Sequence, residues 1–128
     1  MPWARTGHTY IAYLLGILLV VQFFLAGLGV LGGESIEPHR TVGHIMEPVS
    51  LILLILALLA RYRGPLLGMS IALFVFIVLQ SVWIDIDNPQ WLRGIHVLMA
   101  LVIAMTIREV VEVSRREKAP AAAAPPRA

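Results

Sequence analysis

Residues 38–60 read PHRTVGHIMEPVSLILLILALLA and consist of two halves that differ in composition. The second half, Leu51 to Ala60, is an unbroken apolar run, whereas the first half carries His39, His44 and Glu47. About 20 mostly apolar residues are enough to cross a bilayer as a helix. Ionisable side chains within such a run are costly in lipid and by default indicate a functional site. The segment therefore predicts a membrane-spanning helix with chemistry at one end.

The composition of the whole chain agrees with a membrane protein. The 128 residues are 59% hydrophobic and 14% charged, with a mean hydropathy of +0.82, whereas a soluble domain is about 45–50% apolar and about 25% charged. The chain has no cysteine, which excludes disulfides, thiolate-ligated iron–sulfur clusters, cysteine zinc sites and covalently attached c-type haem. Its basic residues flank hydrophobic runs, so no nucleic-acid partner is expected.

Four apolar runs predict an all-α membrane protein, a four-helix transmembrane bundle whose helices alternate in up-down-up-down order. A short basic turn between the second and third runs favours an antiparallel hairpin. The transmembrane domain is predicted to cover residues 1–114, and the alanine- and proline-rich residues 115–128 are predicted to form a disordered cytoplasmic tail. The predicted helices cover about residues 8–31, 39–60, 66–84 and 92–113.

Basic residues are distributed unevenly over the two ends of the predicted bundle. Only Arg40 and Arg93 fall at one end, so the positive-inside rule places the other end, with both termini, in the cytoplasm. His39, His44 and His96 then lie near the outer face of a multi-pass protein of the bacterial inner membrane, with lipids as direct neighbours. The basic residues of the cytoplasmic end are Arg5, Arg61, Arg63, Arg108, Arg115, Arg116, Lys118 and Arg127.

His39 and His96 open the second and fourth predicted helices at matched depth, which predicts that they bind one haem iron from opposite sides. Helical bundles supply such sites from facing helices. Residues four apart share a helix face, so Gly43 and Ala100 would leave room for a porphyrin against each helix. The predicted cofactor is one haem b with His39 and His96 as iron ligands. The alternative is that both histidines are polar residues tolerated at the membrane interface.

Other polar residues near these histidines have predicted roles. Arg40 and Arg93 would pair with the haem propionates, or they are ordinary charges at the membrane boundary. Gln22 and Gln80 are expected to make hydrogen bonds between helices, and a place in the lining of the cofactor is the less favoured role.

His44 is the rival to His39 as the ligand from the second helix. Pro48, a bulkier residue than glycine, follows His44 by four, so His39 is preferred. Glu47 stands three residues after His44, and the two side chains can meet on one helix face. Their pairing predicts a proton relay or a divalent metal site. The slightly favoured alternative is a protonated glutamic acid that hydrogen-bonds within the bundle.

The sequence contains no phosphate-binding loop, nucleophile elbow or metalloprotease motif. An enzymatic activity is therefore left open, and electron transfer or haem binding is favoured over it. Iron with both axial positions filled does not readily bind oxygen, which favours electron transfer or haem storage. A quinol or a larger membrane redox complex is the expected partner, and a homo-oligomer is compatible with the sequence. The alternative function is that of a cofactor-free accessory membrane subunit.

These residues also resemble two groups of membrane proteins. His39-Arg40 at the start of the second helix and His96 at the start of the fourth resemble one four-helix half of haem A synthase. The chain is also similar to a family of small four-span bacterial membrane proteins of unassigned function. The matching positions there are Gln22, Ala26 to Gly29, His39 to Gly43, Gln80 and Ile95-His96.

The resemblance to haem A synthase implies haem binding near the outer face of a four-helix bundle, through the two histidines. It does not imply haem A synthesis. That family has a second four-helix half and a catalytic glutamate, and this chain has one half and no glutamate assigned to that role.

Overall fold

The computed structural model describes residues 1–85 and 90–117, with side chains described for residues 1–82 and 94–117. The regular structure in these ranges is entirely helical. Each of the four helices contains a segment long and apolar enough to cross a membrane, so the chain is an all-helical, multi-pass membrane protein. The helices are α1 (Pro2–Leu31), α2 (Glu37–Leu59), α3 (Pro65–Asp85) and α4 (Gln90–Arg116).

The helices extend beyond the apolar runs that predict them, most clearly at the start of α1 and the end of α4. Ala4 and Ser114 are fully buried in these extensions, so packing continues past the hydropathic limits. Arg115 and Arg116, predicted as part of the disordered tail, are helical. The rest of that prediction, residues 118–128, lies outside the described residues.

The two described connections between helices are both short. Pro38 lies in the first turn of α2, where its missing N–H does no harm, and the Ser35 hydroxyl accepts a hydrogen bond from the Glu37 amide at 3.2 Å. Between α2 and α3 the chain turns within a few residues. Arg61 and Gly64 adopt left-handed backbone conformations there, with φ of 57° and 60°.

The helices pack in a ring in which each contacts its two neighbours. α1 lies against α2 and α4, and α3 lies against the same two helices. The diagonal pairs, α1 with α3 and α2 with α4, make no backbone approach among the described residues. Side chains on α2 and α4 therefore meet only by reaching across the interior.

The packed core occupies one end of the bundle. Among the described side chains, buried residues stop at the same level on every helix, at Leu19, Met46, Ile77 and Ile103. Between this level and the end of the bundle that contains Ala4 and Ser114, apolar side chains fill the interior. Between this level and the opposite end, the helices enclose a cavity, and these four residues form its inner end. The remaining buried hydrophobic residues are Ala4, Ala12, Leu15, Leu53, Ala57, Ala60, Tyr62, Leu66, Leu73, Ile107 and Val110.

Candidate cofactor cavity

The cavity at the open end of the bundle has a volume of about 840 Å³. Pockets for small molecules and cofactors usually measure about 300–1,000 Å³ and combine apolar walls with a few polar groups. All four helices contribute to its lining. Eight of the predicted site residues line it, namely His39, His96, Arg40, Gly43, Ala100, His44, Gln22 and Gln80. The predicted residues are thus gathered around one space, and their roles stay predictions.

His39 and His96 approach each other across this space from the diagonal helices α2 and α4. Their ring centres are 6.2 Å apart and the ring planes are inclined by 71°. A bond from a first-row metal to an imidazole nitrogen is about 2.0 Å long, and ring bonds of about 1.35 Å place the nitrogen about 1.15 Å from the ring centre. Two imidazoles on opposite sides of one metal therefore have centres about 6.3 Å apart. The observed separation matches that requirement.

The tautomer of His39 is set by a hydrogen bond to α1. Its Nδ1 lies 3.1 Å from the backbone carbonyl of Gln22, and a carbonyl can only accept, so Nδ1 carries the proton. The other nitrogen, Nε2, keeps a free lone pair. A hydrogen bond from the second ring nitrogen to a carbonyl is the usual arrangement behind a metal-binding histidine.

Two polar atoms near the cavity are buried without a hydrogen-bond partner. They are Nδ1 of His96 and Oε1 of Gln22. A buried polar group left unpaired costs about 1–3 kcal/mol, so native proteins usually pair such groups with protein, water or ligand. Gln22 and His96 both line the cavity, so each atom is placed to bond to water or to a bound molecule.

Gln22 and Gln80 hold the cavity walls in different ways. The Gln80 amide donates to the carbonyl of His96 at 3.0 Å, which is the predicted bond between helices. The backbone carbonyl of Gln22 accepts the hydrogen bond from His39. The side chain of Gln22 lies over Gly43, because a Cβ added at Gly43 would be only 2.9 Å from Nε2 of Gln22. The space beside Gly43 therefore holds the Gln22 amide, where the sequence predicts room for a porphyrin.

Arg40 lies at the exposed rim of the cavity and forms an ion pair with Glu37 at 3.5 Å. Such an exposed pair is weak and easily exchanged for another anion. The prediction for Arg93 falls outside the residues whose side chains the structure describes.

His44 and Glu47 meet as predicted, with Nδ1 of the imidazole 3.0 Å from Oε1 of the carboxylate. Their side chains are 57% and 33% exposed, so the pair lies on the surface while His44 also borders the cavity. Protein-held metals usually have at least three protein ligands. In the described ranges no cluster of three His, Cys, Asp or Glu residues forms, so no third ligand joins this pair.

The residues present fit a haem better than a bare metal ion. A porphyrin supplies four nitrogens of its own, so its iron needs only two protein ligands. His39 and His96 offer two imidazoles at the required separation. The cavity volume and the Gln22 bond behind His39 are consistent with such a group.

A second histidine cluster, which the sequence analysis missed, lies in the packed end. His8 is fully buried, with Nε2 3.0 Å from Ser70 Oγ and Nδ1 3.2 Å from Ser114 Oγ. Ser70 donates its own proton to the Leu66 carbonyl at 2.8 Å, so it accepts from His8, whose proton is on Nε2. Ser114 then donates to Nδ1. One neutral imidazole thereby ties α1, α3 and α4 together.

Tyr62, in the turn between α2 and α3, covers this cluster. Its ring meets His8 edge to face at 5.0 Å, and the Arg5 guanidinium lies 5.5 Å from the ring centre. The hydroxyl is buried and has no hydrogen-bond partner. Burial raises the pKa of Tyr62, Glu117 raises it further, and Arg5 opposes both effects.

The fold and cavity define a small multi-pass membrane protein with a histidine-lined cavity at one end of a four-helix bundle. The chain belongs to the family of unknown function DUF6220, whose model matches residues 22–87. This range includes Gln22, His39 to Gly43 and Gln80, and ends before His96. The family has no assigned function, in agreement with one of the two predicted resemblances, and the resemblance to haem A synthase stays a prediction. No curated protein and no solved structure matches the chain significantly.

Proposed function

We propose that this protein binds one b-type haem through His39 and His96, near the outer face of the bacterial inner membrane. The observation that carries the proposal is the 6.2 Å separation of the two imidazole centres across the cavity. The bundle is proposed to run up-down-up-down with both termini in the cytoplasm, because Arg61, Arg63 and the basic end of α4 lie opposite the cavity end.

The residues around the cavity have distinct parts in this proposal. The Gln22 carbonyl holds His39 with Nε2 free, and Gln80 fixes the start of α4 beside His96. Arg40 and Arg93 are the cations proposed to meet the propionates. When bound, a haem with two histidine ligands supplies one-electron redox chemistry. Electron transfer, or haem storage, is therefore favoured, with a quinol or a larger membrane redox complex as partner.

The optical spectrum of the purified protein tests the proposal directly. Protein from haem-replete cells is expected to show a Soret band, and sharp α and β bands on reduction. His39→Ala and His96→Ala should each remove the low-spin spectrum, because one axial ligand is lost. His44→Ala is the matched control, since it removes a histidine from the same helix and the same cavity rim, and it should keep the spectrum.

Two results would contradict this assignment. A colourless preparation that also fails to take up added haemin would exclude haem binding. Loss of the spectrum in His44→Ala but not in His39→Ala would transfer the α2 ligand to His44. Either result is independent of the orientation of the bundle.

The second candidate function is that of a cofactor-free accessory subunit. The specific observation in its favour is that His39 and Gln80 both bond to backbone carbonyls of neighbouring helices, as purely structural polar residues do in membranes. A colourless protein whose stability falls equally in His39→Ala and Gln80→Ala would support it. A divalent metal at His44 and Glu47, the third hypothesis, requires stoichiometric metal in the wild type that Glu47→Ala loses.

A further inference from the structure

The His44–Glu47 pair lies at a depth where lipid hydrocarbon is expected. α2 begins at Glu37, and a helix rises about 1.5 Å per residue. Glu47 is therefore about 15 Å along the helix from Glu37 and about 10 Å beyond the charged rim residue Arg40, in the outer half of a hydrocarbon layer about 30 Å thick. Ionisable side chains at this depth are expensive and usually serve a substrate, an ion or a proton. A partly exposed pair at this depth is accessible to a partner with polar groups that can itself dissolve in lipid.

The hydrogen bond within the pair determines what that partner donates. Nδ1 of His44 lies 3.0 Å from Oε1 of Glu47. When the carboxylate is ionised it can only accept, so Nδ1 donates and the lone pair on Nε2 is left free. A carboxylate behind an imidazole stabilises the imidazolium that forms when the other nitrogen takes a proton from a hydroxyl. The pair is thus suited to a ligand with an acidic hydroxyl group.

The surroundings of His44 are suited to an apolar tail. His44 borders the same cavity as His39 and His96, and its α1 wall presents Phe23 and Val30. We propose that His44 and Glu47 bind the headgroup of a membrane-diffusible hydroquinone, with one hydroxyl donated to Nε2 of His44. This inference rests on the proposed haem site, which would receive the electrons.

The oxidation of a hydroquinone is compatible with one haem per bundle. Oxidation of one hydroquinone to the quinone releases two electrons and two protons. With haem bound at the proposed site, the two electrons would be taken up by two ferric haems, one in each of two bundles. His44 accepts the proton of the hydroxyl that it binds, and the second proton goes to water at the outer face.

The inference is tested with decylubiquinol on the full chain in nanodiscs. Equilibrium binding of decylubiquinol to dithionite-reduced protein should weaken about tenfold or more in His44→Ala, because the hydrogen bond from the headgroup hydroxyl to Nε2 is lost. Glu47→Gln should bind within about threefold of the wild type, yet its haem should be reduced by decylubiquinol about 100-fold more slowly. Glu112→Gln, the same change in an ion pair at the opposite end, should alter neither measurement.

The outcomes separate this inference from the haem proposal. Dithionite should reduce every variant fully, which shows that the haem is intact. Haem-loaded protein that, after reduction, binds decylubiquinol equally well with and without His44 overturns the inference and leaves the haem site standing. A colourless protein overturns the haem proposal, and the binding assay still decides whether His44 holds the headgroup. If the variants change only the oligomeric state, the pair is a contact between copies and the inference fails.

Discussion

His8 shows how a polar residue becomes structural inside an apolar bundle. Both ring nitrogens are satisfied, one by accepting from Ser114 and one by donating to Ser70. Inside a membrane no water can replace a lost hydrogen-bond partner, so each of these bonds stabilises the folded bundle. The histidines of the cavity contrast with this arrangement, because His96 leaves Nδ1 unpaired.

His8→Ala should destabilise the bundle by about 2–4 kcal/mol, since it leaves two buried serines with fewer partners and opens a cavity. Reversible unfolding in mixed micelles with increasing SDS measures the effect. His44→Ala, the same substitution at an exposed position, should cost less than about 1 kcal/mol. Equal losses in the two variants would show that the His8 bonds contribute nothing specific.

Tyr62→Phe should leave the stability unchanged or raise it, because the hydroxyl that it removes is buried and unpaired. The same variant tests the pH dependence. Since burial raises the pKa of Tyr62 in the folded state, its contribution is complete below the unfolded pKa of about 10 and is lost at higher pH. The wild type should therefore lose stability above pH ~10 faster than Tyr62→Phe, as followed by thermal unfolding across pH 8–11. Parallel curves would contradict this reading.

At the scale of elements, the link between α2 and α3 depends on two left-handed residues. Gly64 adopts a φ of 60° without strain, whereas Arg61 carries a side chain at 57°. The left-handed conformation costs an L-residue roughly 1–2 kcal/mol. Because the turn is this short, α2 and α3 can lie side by side only if these residues adopt the left-handed conformation.

Gly64→Ala should destabilise the protein by about 1–2 kcal/mol in the same SDS titration. Gly68→Ala supplies the matched control four residues further on. Gly68 is within α3 and a Cβ there meets nothing within 4 Å, so the change should stabilise by up to about 1 kcal/mol through helix propensity. A loss of stability in Gly64→Ala together with a gain in Gly68→Ala would identify the backbone conformation as the cause. Stability changes of the same sign in both variants would refute it.

At the scale of the whole molecule, the proposed orientation can be read from cysteine labelling, because the chain has no native cysteine. A membrane-impermeant maleimide added to intact spheroplasts should label Glu34→Cys and leave Arg63→Cys unlabelled until the membrane is opened. Leu53→Cys, in the packed core, should react only after denaturation. Labelling of Arg63→Cys but not of Glu34→Cys from outside would show that the bundle has the opposite orientation. Labelling of both from outside would exclude the proposed topology.

The sequence predicts the four helices well because length and hydropathy are local properties. The start of α1 is predicted too late, since Arg5, Thr6 and His8 interrupt the apolar pattern although Ala4 is buried. Matched depth on two helices was enough to predict that His39 and His96 lie close together.

The missed features depend on helix rotation and on side-chain placement. His8, Ser70 and Ser114 are far apart in the sequence, and only the packing of three helices brings them together. The sequence likewise shows that Gly43 is small, but only the structure shows that the Gln22 amide fills the space beside it. Neither feature follows from periodicity or composition.

The contrast between the two ends of the bundle has a mechanical consequence. Three helices are pinned together by the His8 bonds at one end, whereas the buried packing stops short of the other. At the cavity end, side-chain hydrogen bonds join α1 to α2 and α3 to α4. Separation of the α1–α2 pair from the α3–α4 pair would admit a rigid planar guest from the side and leave the buried contacts at the opposite end in place.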